Sequence, residues 1–251
     1  MTRIIGVVSG KGGVGKTTLV SNLGVALAQE GAKVAIVDAN LTGANLGLHF
    51  GLISYPASIH DVMKENASLP DVMYKHPSGV DIIPASLSME DITTEPKNIR
   101  ADIDEHLSDK DYVLIDCATG LDRETTNALD ICDEVLLVTH PELPTISDAL
   151  RTKTVAKEYG KKMLGVVLNR VNKKDEMKIE NVASFFDLPV IAAIPEDSTI
   201  RKSIESKNPV VLDNPKHKVS REITKVSDFL SGKVRRKEKN LVDKIMDMFK
   251  W

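Results

Sequence analysis

The chain has 251 residues, of which 42% are hydrophobic and 27% are charged, proportions that are ordinary for a globular protein in water. Its formal net charge of −3 argues against general nucleic-acid binding, which shows as a large basic excess, so no specific nucleic-acid partner is expected. The two cysteines, Cys117 and Cys132, do not form a zinc motif or a disulfide framework, and no stretch has the 18 consecutive apolar residues of a transmembrane helix.

Short aliphatic runs alternate with segments of helical periodicity along the first 231 residues. Each run has four to six residues and little polar alternation, which is typical of strands buried on both faces. The runs are Ile4–Val8, Val34–Val37, Val80–Pro84, Tyr112–Ile115, Glu134–Thr139, Leu164–Leu168 and Val190–Ile194, and the clearest helical segments are Thr17–Glu30, Thr145–Tyr159 and Ser198–Lys207. The alternation predicts one α/β domain over residues 1–231, with a mostly parallel central sheet and helices on both faces.

A glycine-rich loop follows the first predicted strand. The segment from Gly10 to Thr17 fits the spacing G-x-x-x-x-G-K-[ST] and precedes the first predicted helix. Backbone N–H groups in such a loop converge on phosphate oxygens, and the helix N-terminus adds partial positive charge. We expect Lys16 to contact the β- and γ-phosphates and the Thr17 hydroxyl to bind Mg²⁺. The predicted nucleotide-contacting residues of this loop are Gly10, Lys11, Gly12, Gly13, Val14, Gly15, Lys16, Thr17 and Thr18.

Lys11 is not required by this cradle, and a solvated loop lysine is the alternative to a functional one. With Lys11 included, the run KGGVGKTT resembles the deviant Walker A ATPases of the MinD/ParA family, and the likeness, closest to MinD, extends over residues 2–231. The resemblance implies a three-layer P-loop NTPase fold with ATP or ADP and Mg²⁺ as cofactors. It also implies an ATP-dependent homodimer, in which Lys11 reaches the partner's phosphates and stabilises transition-state charge.

Two aspartates end predicted strands, Asp38 in VDAN and Asp116 in LIDCATG. Ligands of parallel α/β sheets bind at these strand ends, although an isolated aspartate there is often only a cap or a turn former. The resemblance implies that Asp116 holds Mg²⁺ and that Asp38 supports the metal site. It further implies that Gly120 offers its backbone N–H to the γ-phosphate.

Asn40 departs from the family pattern, which usually has a second aspartate here to position the attacking water. Asparagine keeps the shape and one carbonyl oxygen, but it cannot accept a proton or carry negative charge. A second departure, Ala118-Thr119, replaces a proline-containing segment. We therefore expect the chain to bind ATP and dimerise but to hydrolyse ATP slowly.

Adenine contacts follow from the resemblance alone. In the family, the Asn of an LNR-like segment and the backbone around a PED segment contact the base. Here these correspond to Asn169 and Arg170 in VVLNRVN, and to Pro195 and Asp197 in AAIPEDSTIRKS. For Asp197 the alternative is a cap of the helix that begins near Ser198.

The C-terminal residues differ from the rest of the chain. From Gly232 to Trp251 there are seven Lys or Arg and three Asp or Glu, a net charge of +4, which leaves −7 for the first 231 residues. On a helix, six apolar side chains of this segment share an arc of about 160°. Trp251 lies on the polar side, where an indole suits the lipid headgroup level. The predicted membrane-facing residues are Leu241, Val242, Ile245, Met246, Met248, Phe249 and Trp251.

Residues 232–251 are therefore predicted to be a basic tether and an amphipathic helix that binds an anionic membrane surface. MinD proteins end in such a helix, so the resemblance implies the same use. The alternatives are a helix that packs its apolar face on its own domain and a helix that binds a partner helix.

The leading interpretation is a cytoplasmic ATPase, peripheral on the inner face of the cell membrane, that positions division or polar proteins with an unidentified activator or cargo protein. A ParA-type switch that binds DNA is the second class, disfavoured by the acidic body. An iron–sulfur carrier ATPase is the third. It requires cysteines at a dimer interface, whereas Cys117 and Cys132 are expected to be buried.

Overall fold

The computed structural model describes residues 1–91, 95, 97–120, 122–172 and 179–233, and its strands form a single sheet. The order across the sheet is β3-β4-β2-β5-β1-β6-β7-β8. The strands are β1 (Arg3–Ser9), β2 (Val34–Ala39), β3 (Tyr74–Lys75), β4 (Val80–Ile83), β5 (Tyr112–Thr119), β6 (Glu134–Thr139), β7 (Lys162–Val171) and β8 (Val190–Pro195). Neighbours pair in parallel except β3, which runs antiparallel to β4. Each of the seven aliphatic runs coincides with a strand, with Pro84 alone lying beyond the end of its strand β4, so the prediction of a mostly parallel sheet is confirmed.

Helices cover both faces of this sheet. They are α1 (Lys16–Gln29), α2 (Leu46–His49), α3 (Ile59–Met63), α4 (Arg100–His106), α5 (Arg123–Ile131), α6 (Leu143–Glu158), α7 (Ile179–Phe186), α8 (Ser198–Glu205), α9 (Val210–Asp213) and α10 (Lys218–Leu230), with 3₁₀ turns at Leu69–Val72 and Met89–Asp91. Within the described residues, no helix is long and apolar enough to cross a lipid bilayer.

The two faces have separate apolar cores, which gives the three layers. Successive side chains of a strand point to opposite faces, and β1 shows this clearly. Ile4 packs in a core with residues of α3, α4, α5, α6 and α7. Ile5 and Val7 pack in the other core, with residues of α1 and α10. The predicted three-layer P-loop NTPase architecture is confirmed.

The strand order places the glycine loop where the chain changes the direction in which it adds strands to the sheet. Strand β1 lies between β5 and β6, and the chain winds outward from it in both directions. In open α/β sheets, ligands bind at such a switch point, beyond the carboxyl ends of the strands. The loop after β1 and the ends of β2 and β5 therefore meet at one place.

His49, the last residue of α2, makes stability depend on pH. Its ring is buried, its Nδ1 lies 3.3 Å from the Ser21 hydroxyl, and burial lowers its pKa to about 4. The unfolded chain therefore binds a proton more readily than the folded chain between pH 6.5 and 4. Over that range we expect the His49 ring to remove up to about 3 kcal/mol of unfolding free energy as pH falls.

Urea unfolding of the unmodified chain and of His49→Asn at pH 7.5 and pH 5.0 measures this contribution. The loss of stability on acidification should be smaller in the variant. An equal loss in both proteins would show that His49 does not carry it.

Candidate functional site

The phosphate loop depends on glycine at the start of α1. Gly15 occupies the N-cap position with φ of +95°, a conformation that side chains disfavour. A Cβ at Gly15 would also lie 2.3 Å from Nδ2 of Asn169. Because that amide donates a 2.7 Å hydrogen bond to the Val14 carbonyl, the loop and the end of β7 are held together.

Gly10 lets the other end of the loop touch helix α6. A Cβ at Gly10 would lie 2.2 Å from the carbonyl carbon of Asp148 and 2.7 Å from the backbone nitrogen of Ala149. Both atoms belong to the backbone, so a side chain at Gly10 requires α6 or the loop to move.

Gly10→Ala is therefore expected to lower the unfolding free energy of the nucleotide-free chain by about 1–3 kcal/mol. The matched control is Gly12→Ala in the same loop, where the nearest heavy atom to an added Cβ is the Thr119 hydroxyl at 4.0 Å. This variant should stay within about 0.5 kcal/mol of the unmodified chain. Urea denaturation without nucleotide measures both values, and equal stability of the two variants would contradict the close approach.

Ser9 links the two lysines of the loop. Lys16 is only 6% exposed. Its ammonium donates to the Ser9 hydroxyl at 3.0 Å, and that hydroxyl donates to the Lys11 carbonyl at 2.9 Å. Burial lowers the pKa of Lys16, and the negative charge of Asp116 opposes this shift. The sequence did not assign a role to Ser9. Its position at the end of β1, just before the first loop glycine, was the available signal.

The Lys11 side chain has a different environment. It is exposed, and it forms no ion pair with any residue that the structure describes. It is thus available to a group outside its own chain.

Two buried carboxylates lie side by side in the carboxyl-terminal halves of β2 and β5. Asp38 is paired with Asp116 in the strand register. Asp38 accepts hydrogen bonds from the backbone nitrogens of Asn40, Asn45 and Leu46, at 3.1–3.3 Å. Burial raises the pKa of Asp38 to about 8, helped by the charge of Asp116, and burial also raises the pKa of Asp116 to about 6. The pair is thus costly to ionise without a cation.

These residues fit the Mg²⁺ that accompanies a nucleotide. Neither carboxylate oxygen of Asp116 has a hydrogen-bond partner of good geometry among the described residues, although the Thr17 hydroxyl lies near enough to lower its pKa. The described part of the chain has no cluster of three or more His, Cys, Asp or Glu side chains suited to a metal. Mg²⁺ is usually held by one or two carboxylates, phosphate oxygens and water. Thr17 and Asp116 would hold it here, with Asp38 behind them, and the metal would neutralise charge on the phosphates.

Asn40 holds its own loop closed. Its backbone nitrogen donates to Asp38, and its side-chain Nδ2 donates to the Gly43 carbonyl at 2.8 Å. The same carbonyl accepts a 2.7 Å hydrogen bond from Nδ2 of Asn45. An aspartate at position 40 could not donate this bond, because an ionised carboxylate is only an acceptor.

A contact between Thr42 and Glu124 joins the loop after β2 to the helix after β5. The Thr42 hydroxyl donates to Oε2 of Glu124 at 3.4 Å. Burial raises the pKa of Glu124, and the hydrogen bonds from Thr42 oppose the shift. Gly120, at the end of β5, has φ of +92° and lies just before this helix. No local sequence pattern indicates this contact, because its partners are 82 residues apart.

The predicted base-contacting residues border one cleft of about 630 Å³ that also reaches Gly15 and Thr18 of the phosphate loop. Arg170 has φ of +54°, and its guanidinium lies 3.7 Å from Glu196. Asp197 caps α8 by accepting from the Thr199 nitrogen at 2.9 Å, and it pairs with Lys218. The bonds from Thr199 hold the pKa of the Asp197 carboxyl well below its usual range. The carboxylate of Asp197 thus has the capping role that was its alternative, while Asn169 and Pro195 line the cleft.

Cys117 follows Asp116 in β5, and Cys132 follows α5. Cys117 and Cys132 are fully buried, and both thiols pack against Gly6. Neither thiol is at a surface where two subunits share a cluster, which argues against the iron–sulfur alternative. The seven predicted membrane-facing residues lie outside the described residues, which end at Lys233.

A glycine loop at the switch point, a buried lysine at its end and two adjacent carboxylates at strand ends define a phosphate-loop nucleotide-binding protein. The family model of the CobQ/CobB/MinD/ParA nucleotide binding domain matches residues 5–210. The chain therefore belongs to this family, and within it the chain is a MinD-like ATPase of the MinD/ParA group.

Three known proteins show how similar the chain is to other members. An uncharacterised ATP-binding protein of Methanocaldococcus jannaschii is 37% identical over 258 residues, with 98% of each sequence covered. The septum site-determining protein MinD of Pyrococcus horikoshii, solved with Mg-ADP, is 36% identical with a TM-score of 0.88, covering 94% of this chain and all of that one. A chain of the MinC:MinD cell division complex of Aquifex aeolicus is 27% identical with a TM-score of 0.83, covering 93% and 98%. The predicted family and its nucleotide and Mg²⁺ cofactors are thereby confirmed.

Proposed function

We propose that the chain is an ATP-dependent dimerising switch that binds the cytoplasmic membrane and positions other proteins, with slow hydrolysis. The observation that carries the nucleotide part is the cluster of Lys16, Asp38 and Asp116. Burial raises the pKa of both carboxylates at a place where Lys16 and the glycine loop are positioned to bind phosphate. Mg-ATP supplies the positive charge and the phosphate oxygens that this cluster requires.

Dimerisation is supported by the placement of Lys11. The side chain is exposed at the phosphate loop and has no ion-pair partner among the described residues. A cation provided by a second copy stabilises transition-state charge as an arginine finger does. ATP would thus hold two subunits face to face, and hydrolysis would release them.

The membrane part rests on the C-terminal sequence. A few partly buried apolar side chains at about 25 cal/mol per Å² contribute a few kcal/mol, so a single segment binds lipid weakly and reversibly. Two segments carried by one ATP dimer raise the avidity by about 10²–10⁴ without new contacts. Hydrolysis returns each copy to weak binding. The segment Leu241–Trp251 is then the output of the nucleotide switch.

Partner proteins are part of the proposal. A neighbouring structure is a MinC:MinD cell division complex, and we propose that the ATP dimer of this chain likewise recruits a division or polar protein. An activator that accelerates hydrolysis would set the time each dimer spends on the membrane.

Sedimentation with anionic liposomes in Mg-ATP and in Mg-ADP tests the proposal, alongside a chain ending at Lys239. Binding that requires both ATP and the last twelve residues supports the switch. A protein that is dimeric in ATP but stays in solution with liposomes would refute membrane binding. A steeply salt-dependent affinity of that dimer for DNA would instead favour the ParA-type function.

A further inference from the structure

An apolar groove lies between the start of β8 and the end of α10. It has a volume of about 490 Å³, within the range of clefts that bury ligands. Its lining residues are Pro189, Val190, Ile191, Lys225, Asp228, Phe229, Gly232 and Lys233, and we call it the β8–α10 groove. The Phe229 side chain is 43% exposed in it. A half-exposed phenylalanine beside proline, valine and isoleucine is a surface that gains free energy when it is covered.

The groove lies beside the amino-terminal ends of the strands, whereas the nucleotide site lies beyond their carboxyl-terminal ends. The Leu230 carbonyl at the end of α10 accepts hydrogen bonds from the Arg3 guanidinium and from the Tyr112 hydroxyl, the latter at 3.2 Å. Arg3 and Tyr112 begin β1 and β5, whereas the phosphate loop follows β1 and Asp116 lies in the carboxyl-terminal half of β5. A strand of seven residues spans about 23 Å. Nucleotide therefore does not contact the groove.

The segment best placed to cover the groove belongs to the same chain. Lys233 lines the groove, and only residues 234–240 separate it from Leu241. Seven residues reach at most about 25 Å when extended. The apolar residues of Leu241–Trp251, which we call the tail, therefore stay close to the groove at high effective concentration.

We propose that the apolar face of Leu241–Trp251 docks in the β8–α10 groove whenever it is not in lipid. The inference rests on the proposed membrane function of this segment, and it adds that the groove competes with lipid for the same side chains. The same side chains cannot be buried in both places, so docking weakens the lipid affinity of each tail. Because the groove lies far from the nucleotide, docking is the same with ATP and ADP. Docking thus lowers the lipid affinity of a single tail until it no longer holds a monomer on the membrane. The two tails of an ATP dimer still bind, because their avidity compensates for the loss.

Trp251 reports docking without lipid, because it is the only tryptophan in the chain and because, as the last residue, it need not continue the helix and can follow Phe249 into the groove. Acrylamide quenching of its fluorescence is measured in the unmodified chain and in Phe229→Ser, which removes the exposed ring from the groove. The matched control is Tyr159→Ser, whose ring at the end of α6 is similarly exposed, at 40%. We expect the unmodified chain and the control to protect Trp251, and Phe229→Ser to be quenched as strongly as the urea-unfolded chain.

Equal quenching of Trp251 in the unmodified, Phe229→Ser and unfolded proteins would overturn the docking. Protection that disappears on dilution would also overturn it, because a second copy would then cover the groove. Far-ultraviolet circular dichroism of Phe229→Ser confirms that the domain remains folded.

Liposome sedimentation tests the consequence. If the groove is occupied about 90% of the time, Phe229→Ser lowers the apparent Kd for anionic vesicles about tenfold in Mg-ADP, and about a hundredfold in Mg-ATP, where both tails of the dimer leave their grooves. Tyr159→Ser leaves the Kd unchanged, and chains ending at Lys233 do not bind. An unchanged Kd in Phe229→Ser would show that the groove does not compete with lipid. Protection of Trp251 without liposome binding by any variant would refute the membrane function and leave the docking intact.

Discussion

Asn40→Asp is expected to raise the steady-state rate of ATP hydrolysis by about 10²-fold or more, the range typical of a positioned general base. The residue follows Asp38 at the end of β2, beside the pair of carboxylates at which the phosphates and Mg²⁺ are proposed to bind. An aspartate there orients the attacking water and accepts its proton, whereas the amide of Asn40 can only orient it. Phosphate release in Mg-ATP, at protein concentrations that saturate dimer formation, measures the change.

The same substitution has a cost in the resting loop. Asn40 donates to the Gly43 carbonyl, and an aspartate would place an oxygen against that carbonyl instead. We therefore expect Asn40→Asp to lower the stability of the nucleotide-free chain by about 1 kcal/mol while it raises the rate. If the rate rises while the stability falls, the faster hydrolysis cannot be due to a more stable fold and is assigned to the chemical step.

Asn45→Asp is the matched control for this prediction. Asn45 lies in the same loop and its Nδ2 also donates to the Gly43 carbonyl, so the substitution adds the same charge and removes the same kind of bond. Its rate should stay at the level of the unmodified chain. Equal turnover by the unmodified chain and Asn40→Asp would show that Asn40 does not limit hydrolysis.

The sequence predicted those parts of the fold that depend on local pattern. Each buried strand of the parallel sheet appears as an aliphatic run, and the phosphate loop appears as glycines at fixed spacing before Lys16. The strand β3 was missed because two residues, Tyr74 and Lys75, have too little pattern to be recognised. Helix α6 begins two residues earlier than predicted, at Leu143, because Pro144 is favourable in the first turn of a helix.

The missed parts of the site are contacts between distant segments. The bond between Thr42 and Glu124, and the approach of Gly10 to Asp148, join residues that only the fold brings together. Asp197 illustrates the opposite case. Its position before α8 predicted a cap as readily as a base contact, and the geometry gives its carboxylate the capping bonds. Spacing in a sequence identifies residue types at strand ends, while the partners of each side chain depend on packing.

Removal of Lys11 in an Asn40→Asp background is expected to lower hydrolysis by about 10³-fold, the lower bound for an arginine finger supplied by a partner. Lys11 is exposed and forms no ion pair with the described residues, so Lys11→Ala should leave the fold of the free chain unchanged. A loss of rate with unchanged thermal stability assigns the lysine to the reaction rather than to the structure.

Mixing two inactive or slow proteins decides whether Lys11 acts across the dimer. The double variant Lys11→Ala, Asn40→Asp has the water-positioning carboxylate but no lysine, and the unmodified chain has Lys11 but only Asn40. In a mixed dimer, one site combines Asp at position 40 of the first copy with Lys11 of the second. An equimolar mixture with random pairing places about one quarter of all sites in this state, so it should hydrolyse ATP at about one quarter of the Asn40→Asp rate. If Lys11 instead served its own nucleotide, the mixture would show only the average of the two separate rates, because no pairing would then bring both groups to one phosphate.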